Sequence, residues 1–526
     1  MTGVQKNAIL CDICGYLPVP SRSLHASYFL YICVLEMPGV AGHDKSMNLK
    51  SLAKDTALYG LVSIVGRFLN YLLVPVHTYM IPAESGGYGI VSNLYAYTAL
   101  FFALLTFGME TTLFRFANKP GTDDRMVYSN ALRMVSGVSL GFLALVFLLL
   151  HPISGAMGYG AHPEYIGMFA LITAQDAFQA VMFSRLRQQR RPIRFVVLKF
   201  SFIIPSVLLN LFIFYVLKRM PSMQGLFAQF NAGAGLIFVA NLVCTTMVSF
   251  LFIPEIRGIA YGFDKRLAKE MLGYSWPLLI LSLVGVLNQV SDKIMLPKLM
   301  PGEDGLVQLG IYGACVKVAM IMALLTQAFR YAYEPIVFAD SKDKNSPATL
   351  ADGTKYFIIF TLLAFLAVMF YLPLLQRFIG ADYRDGLGVI PIVMMAEIFM
   401  GVYFNLSFWY KLTDQNWWGA IISAIGVALM IAINVLYVPK IGYWACAWGG
   451  LVGYGVPMLV SYFLGQKKYP IPYDLKAIGK FALITGAMFA LYWFWLRTLP
   501  AWLEMLLGTV LLGLYALAAW KEIKSK

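Results

Sequence analysis

Residues 57–80 read ALYGLVSIVGRFLNYLLVPVHTYM. The run is apolar for more than the ~20 residues that a helix needs to cross a bilayer. It nevertheless carries Arg67 near its middle. A charge at that depth costs at least ~2.5–3.5 kcal/mol on insertion scales, so it faces a polar interior or a partner rather than lipid. Tyr59, Ser63, Arg67 and Asn70 follow each other at steps of four, four and three. That spacing puts them on one helix face, with Leu, Val and Ile on the others. The stretch predicts a membrane helix with one side on lipid and one on a wet, positive cavity.

The rest of the chain repeats this pattern. It is 59% apolar and 13% charged, about half the charged fraction of an ordinary soluble domain. Fourteen apolar runs are read as spans: 57–80, 87–112, 127–150, 164–184, 195–217, 229–252, 271–296, 309–334, 355–376, 389–410, 417–438, 443–464, 477–497 and 501–520. The expected fold is an all-α polytopic membrane protein, since barrel strands are much shorter and alternate. Short loops leave no room for a soluble domain.

The net charge of +14 would suggest nucleic acid in a soluble chain. With the start of span 1 in the cytoplasm, about 25 Lys and Arg fall in cytoplasmic loops and tails and about 7 outside, a positive-inside pattern. Both termini are then cytoplasmic, and nucleic acid is dropped as a partner. Residues 1–46 read differently: their apolar patch, 28–35, is too short to span, and Met47 is a natural start. They are expected to be a disordered leader or an upstream mis-start. Cys11 and Cys14 lack the second pair of ligands that a zinc site needs, and no disulfide framework, metal or cofactor is expected.

An internal repeat is suggested by Gly89-Ile90 and Ala103-Leu104-Leu105-Thr106 in span 2, matched by Gly310-Ile311 and Ala323-Leu324-Leu325-Thr326 in span 8. The offsets are 221 and 220. This fits two six-span halves in parallel orientation, 47–265 and 266–470, with spans 13 and 14 and a basic tail appended over 471–526.

Several polar groups lie within the spans. Ser282, Gly285, Asn288, Gln289 and Asp292 share a face of span 7, beside Lys293; span 8 carries Lys317, Gln327, Arg330 and Glu334. Arg67 and Lys317 are too deep to snorkel and are read as cavity cations, joined by Arg330, Asn70, Asn288 and Asp292 as candidate substrate contacts. Arg330 and Glu334, four residues apart, can equally pair with each other. Glu110, Asp176, Glu397 and Glu334 are ion-coupling candidates, and pairing with the cations is their structural alternative. Lys199, Lys293 and Arg133 are expected to snorkel. The clusters Phe408-Trp409-Tyr410 and Trp417-Trp418 are read as interfacial anchors. His77, His151 and His162 are expected to be solvated. A ring of cations in a dry-walled cleft suits an anion such as a diphosphate.

SLAKDTALYGLVSIVGRFLNYLLVP, YGIVSNLYAY…LLTFGMETTLFRFA, LRQQRRPIRF and SDKIMLP with GIYGACVKVAMIMALLTQAFRYAYEPIVF together resemble the bacterial polysaccharide transporter family, the O-antigen flippase type of the multidrug/oligosaccharidyl-lipid/polysaccharide (MOP) exporter superfamily. The likeness covers roughly residues 49–465. It implies a V of two six-helix bundles around a cationic cavity, plus two extra helices, in the bacterial inner membrane. It implies flipping of undecaprenyl-diphosphate-linked oligosaccharides, for O-antigen, lipopolysaccharide, capsule or exopolysaccharide, from the inner to the outer leaflet by alternating access. Arg67, Glu110, Arg115 and Asp292 match the family's pattern by position; Lys293 stands where many members have Arg.

The leading expectation is therefore such a flippase, coupled to H+ or Na+ and working beside a polysaccharide polymerase. A lipid II flippase is a close variant. A drug/cation antiporter of the same superfamily would want an acidic cavity. A membrane enzyme is disfavoured, because no Asp-x-Asp triplet and no long outer loop is present.

Overall fold

The computed structural model describes residues 65–66, 68–69, 71–256, 259, 262–300, 304–340, 346–413, 415 and 417–524; between 331 and 346 it describes the side chains of Tyr333 and Val337. The leader with Cys11 and Cys14, together with Arg67 and Asn70, lies outside the described residues, as does the side chain of Glu334.

The chain is helical throughout the described residues. The remainder of the first apolar stretch is α1 (Leu73–Met80). Then come α2 (Gly87–Thr106), α3 (Met109–Ala117), α4 (Asp124–Leu148), α5 (Pro163–Gln188), α6 (Pro192–Tyr215) and α7 (Ala234–Leu251). A second series follows: α8 (Lys265–Leu299), α9 (Asp304–Asp340), α10 (Ser346–Phe370), α11 (Ile390–Leu406), α12 (Trp417–Ile441) and α13 (Tyr443–Lys468). Two more close the chain, α14 (Leu475–Phe494) and α15 (Ala501–Lys524).

Thirteen segments among the described residues are long and apolar enough to cross a membrane. They coincide with spans 2–14 of the sequence reading, making this a multi-pass membrane protein. Local signals start the helices. Asp123 accepts from the amide of Arg125, Asp264 from Arg266 and Leu267, and Asp474 from Ala477, so each carboxylate satisfies amides that the first turn leaves unpaired. Pro163 and Pro192 occupy the first turn, where a missing N–H costs nothing.

Packing divides these helices into two sets. In the first, α5 packs on α2, α4 and α7, and α6 packs on α7. In the second, α11 packs on α9, α10 and α13, and α12 on α13. The appended helices lie against α10, where Gly508 leaves room for the Phe370 ring and Tyr515 donates to the Ile359 carbonyl at 3.1 Å.

The two sets meet most tightly at one end, around the repeat itself. A Cβ placed on Gly89 would lie 1.9 Å from the Leu306 oxygen and 3.1 Å from the Gly310 amide nitrogen; one on Gly310 would lie 3.2 Å from the Gly89 nitrogen. Only glycine lets α2 and α9 approach so closely. Gly89 and Gly310 are also the residues that the repeat aligns. Around this apex Tyr383 donates to the Ile81 carbonyl, the Gly380 amide to Thr78, and Tyr79 to the Arg377 carbonyl. Asn93 donates to the Lys293 carbonyl and accepts from Tyr159. The apex end is opposite the end whose loops carry most of the lysines and arginines, called here the basic end.

Three expectations need correction. Span 2 is not one helix: Phe107 and Gly108 both take left-handed conformations (φ 31° and 73°), and the chain restarts as α3, running to Ala117. Gly108 is required there, since its Cβ position is 3.0 Å from Leu278 of α8. The cluster Phe408-Trp409-Tyr410 is buried rather than interfacial, with the Trp409 indole donating to Ser461 at 3.1 Å; Trp417 stays exposed. His77 is buried beside Asn210, Nε2 to Oδ1 2.9 Å, because α1 packs its polar turn against α6. His162 instead pairs with Glu164 near the surface.

Candidate functional site

Gly310, Gly313 and Lys317 follow one another on α9 at steps of three and four, which puts them on one face. The first two touch the other half: Gly310 abuts Gly89, and a Cβ on Gly313 would lie 2.8 Å from Ser92 Oγ. Lys317 is the next residue of that face toward the basic end. It lies one turn beyond Gly313 on the α9 face that meets α2. It is about 20 Å along α9 from Asp304, close to mid-depth of a ~30 Å apolar layer.

Lys317 is half-buried and has no hydrogen bond or ion pair among the described residues. The charged group that acts on it is another cation, Lys293 of α8. Farther toward the basic end α9 turns to its own half, with Thr326 under Gly401, Phe329 on Phe357 and Arg330 over the Phe404 ring at 4.4 Å.

The other candidates of the second half gather around α8. Asp292 is buried, accepts from Tyr312 at 2.9 Å and holds Lys293 Nζ at 3.1 Å. Lys293 also donates to the Gln289 carbonyl. Lys293 is thus fixed in the interior rather than snorkelling, because a carboxylate one residue away competes with the interface for it. Asn288 contacts α12 through Ser423 at 3.5 Å, its carbonyl accepts from Tyr454 at 3.0 Å, and its buried Oδ1 has no partner. Glu397 of α11 lies near Tyr454 and Lys293, again with a buried oxygen unpartnered. Lys317, Lys293, Asp292, Asn288 and Glu397 therefore form one neighbourhood. Arg330 does not join it: thirteen residues along a helix is about 20 Å.

The first half holds a separate polar set. Asp176 sits in the middle of α5, with Lys199 of α6 as the cation acting on it. The Lys199 ammonium rests over the Phe183 ring at 4.0 Å, a cation–π contact in place of the expected snorkelling. Glu110, at the start of α3, is ion-paired with Arg187 at 3.2 Å and accepts from Ser184. Near the basic end, Arg185 pairs with Asp124 and Arg194 with Glu255. Sequence spacing could not find Lys199 as the neighbour of Asp176, since the two are on different helices.

Among the described residues no group of three or more His, Cys, Asp or Glu is placed to hold a metal ion. The arrangement, cations and carboxylates gathered in the interior of an apolar chain, is suited to binding and to moving ions.

The sequence profile of a family described as polysaccharide biosynthesis protein matches residues 52–332. No curated protein matches the chain. Among solved structures, the chain is similar to the lipid II flippase MurJ in an inward closed conformation, at TM-score 0.67 and 15% identity, over 89% of this chain and 99% of that one. It is also similar to an inward-facing multidrug resistance MATE family transporter of the MOP superfamily, at TM-score 0.58 and 12% identity, over 86% and 98%. A third is the MATE multidrug transporter DinF-BH, at TM-score 0.56 and 17% identity, over 82% and 99%. At these identities the likeness is one of fold, the MOP exporter fold.

Proposed function

The chain belongs to the polysaccharide biosynthesis protein family, and from that premise we propose that it flips a polyprenyl-diphosphate-linked oligosaccharide across the membrane. The observation that carries this reading is Lys317: a mid-depth cation on the α9 face that meets α2, beside Lys293, with no partner among the described residues. An unpaired charge at that depth marks a substrate path. A diphosphate supplies the counter-charge, and an ammonium meets it as a mobile point charge. The sugar crosses in the cleft while the polyprenyl tail stays in lipid. Arg67 and Asn70 belong to the same reading through their helical register, as second contacts from span 1. Asp292 and Asn288 hold the α8 wall, and Arg330 acts as an entry contact at the basic end.

The basic end faces the cytoplasm in this reading, following the positive-inside rule, with both termini there and transport running from inner to outer leaflet. The sealed apex then closes the outer side. Lipid II needs the same diphosphate chemistry with another head group and is a variant of the same proposal. A cation antiporter is disfavoured by two lysines lying together in the interior.

The test is transbilayer transfer in proteoliposomes of an undecaprenyl-diphosphate oligosaccharide against a cationic dye, for wild type and Lys317→Ala. Loss of lipid transfer in the variant, without dye transport in either protein, is expected. Dye transport that persists or improves in Lys317→Ala would overturn the reading.

A further inference from the structure

Several charged side chains of the first half are locked into pairs: Glu110 with Arg187, Asp124 with Arg185, Glu255 with Arg194. Asp176 and Lys199 are arranged differently. Asp176 is about 20 Å along α5 from its start, and among the described residues it has neither a hydrogen bond nor an ion pair within 4 Å. Lys199 acts on it electrostatically, yet its ammonium lies on the Phe183 and Phe195 rings, 4.0 and 6.0 Å from their centres. Tyr95 of α2 is the other titratable group facing Asp176. Lys199 is only about 10 Å along α6 from its basic end, and Glu110 and Arg187 are the next charges toward that end. The opposite end is closed by the apex contacts.

Two further observations point the same way. A chain of polar side chains runs beside Asp176 from α2 through α7 to α5: Asn241 donates to Tyr95 and accepts from Thr245, Gln179 donates to the Thr245 carbonyl and to Ser249, and Ser249 donates to Gln175. Such a network is costly in an apolar layer unless it serves a polar group. Second, Asp176 and Glu397 are 221 residues apart, the spacing that relates Gly89 to Gly310. Carried on to spans 4 and 10, the same offset brings one carboxylate onto the corresponding helix of each half.

We propose that Asp176, with Lys199 as its partner, is a proton-exchange site of the first half, open to the basic-end solution while the apex is sealed. The step is the addition of one proton to one Asp176 carboxylate oxygen and its return to that solution, with no other bond made or broken. With the proton on, Lys199 is left as the uncompensated charge; with it off, the pair is neutral overall. The two forms therefore differ by a full charge at mid-depth, which changes how the first half packs against a cleft holding an anion. The coupling to transport rests on the flippase reading, whereas proton exchange at Asp176 does not.

The experiment uses the full chain in proteoliposomes, with native cysteines replaced by alanine and spin labels at Gln189→Cys and Lys467→Cys, both exposed near the basic end. The distance distribution is recorded from about pH 5 to about pH 8. A one-proton switch moves the ratio of two populations by up to about tenfold per pH unit. The expected result is a pH-dependent ratio in wild type, lost in Asp176→Asn and restored with a displaced midpoint in Asp176→Glu. A structural role alone would not restore it. A ratio insensitive to pH in wild type, or equally sensitive in Asp176→Asn, overturns the proposal. Transfer of the diphosphate-linked lipid under an imposed pH gradient is measured in parallel. If wild type transfers no lipid while the pH switch persists, the flippase reading has failed and the proton site has not.

Discussion

Tyr383, completely buried, donates its phenol to the Ile81 carbonyl at 2.8 Å, tying the segment before span 10 to the end of span 1. Ile81 follows the end of α1, and the Ser85 amide four residues on is taken by the Pro82 carbonyl, so the phenol supplies the partner that the Ile81 carbonyl lacks within its own segment. Tyr383→Phe leaves that oxygen buried and unpaired, at a cost of about 1–3 kcal/mol. The expected outcome is a lower melting temperature in detergent and easier labelling of a cysteine at Ala83, which is buried, from the apex side. Unchanged labelling would mean that the remaining ties, Thr78 with Gly380 and Tyr79 with Arg384, suffice to seal this end.

Gly89 is expected to tolerate no side chain. Even alanine would drive a methyl to within 1.9 Å of the Leu306 oxygen, a backbone atom that cannot swing away. Gly89→Ala should therefore separate α2 from α9 and cost about 1–3 kcal/mol, the usual range for overpacking. Gly141→Ala is the matched control: nothing lies within 4 Å of its Cβ position, so helix propensity alone should make it neutral or stabilising by up to ~1 kcal/mol. Thermal unfolding of the two variants side by side distinguishes a contact effect from a glycine effect.

Lys317 and Lys293 should respond differently to loss of charge. Lys317 has no partner among the described residues to leave behind, so Lys317→Gln is expected to keep the melting temperature and lower lipid transfer by about tenfold or more, on the scale of one lost charge-assisted contact of about 1.5–3 kcal/mol. Lys293→Gln strands Asp292, which is buried and also bonded to Tyr312, and should cost stability as well. Measuring transfer and melting on both variants checks this; equal loss of stability in the two would place Lys317 in the framework rather than the cleft.

Span positions were legible because the bilayer imposes a length and an apolar composition that sequence states directly, as the agreement of 13 described spans with spans 2–14 illustrates. The offsets drew attention to Gly89 and Gly310, but their close approach came only with the packing of α2 on α9. The break at Phe107 was not legible, because a non-glycine residue in a left-handed conformation leaves no signal of its own. Nor was the burial of His77 or of Trp409, whose hydrogen-bond partners Asn210 and Ser461 are on other helices. Spacing along one helix could pick out Asp176 and Glu397 as deep carboxylates. It could not tell them from Glu110, because Arg187 is 77 residues away and only the packing of α3 on α5 brings it near.

The appended helices offer the last prediction. Lys355 is 1% exposed on α10 and lies 3.8 Å from Asp352 and 3.5 Å from Asp474. Asp474 is also the cap of α14, accepting from the Ala477 amide at 3.1 Å. Asp474→Ala removes a cap worth about 0.5–2 kcal/mol and takes one counter-charge from a buried ammonium, a loss that reaches about 3–5 kcal/mol when a pair is broken one-sidedly; here Asp352 remains, so the lower part of that range is expected. Lys355→Met removes the buried charge together with its need for a partner and should be far milder. The double variant should then be more stable than Asp474→Ala alone, retaining only the capping loss. A double-mutant cycle on unfolding measures this coupling directly. Strictly additive losses would mean that α14 is held on α10 by apolar packing, through contacts such as Phe365 on Phe489, and that the lysine contributes nothing to the attachment.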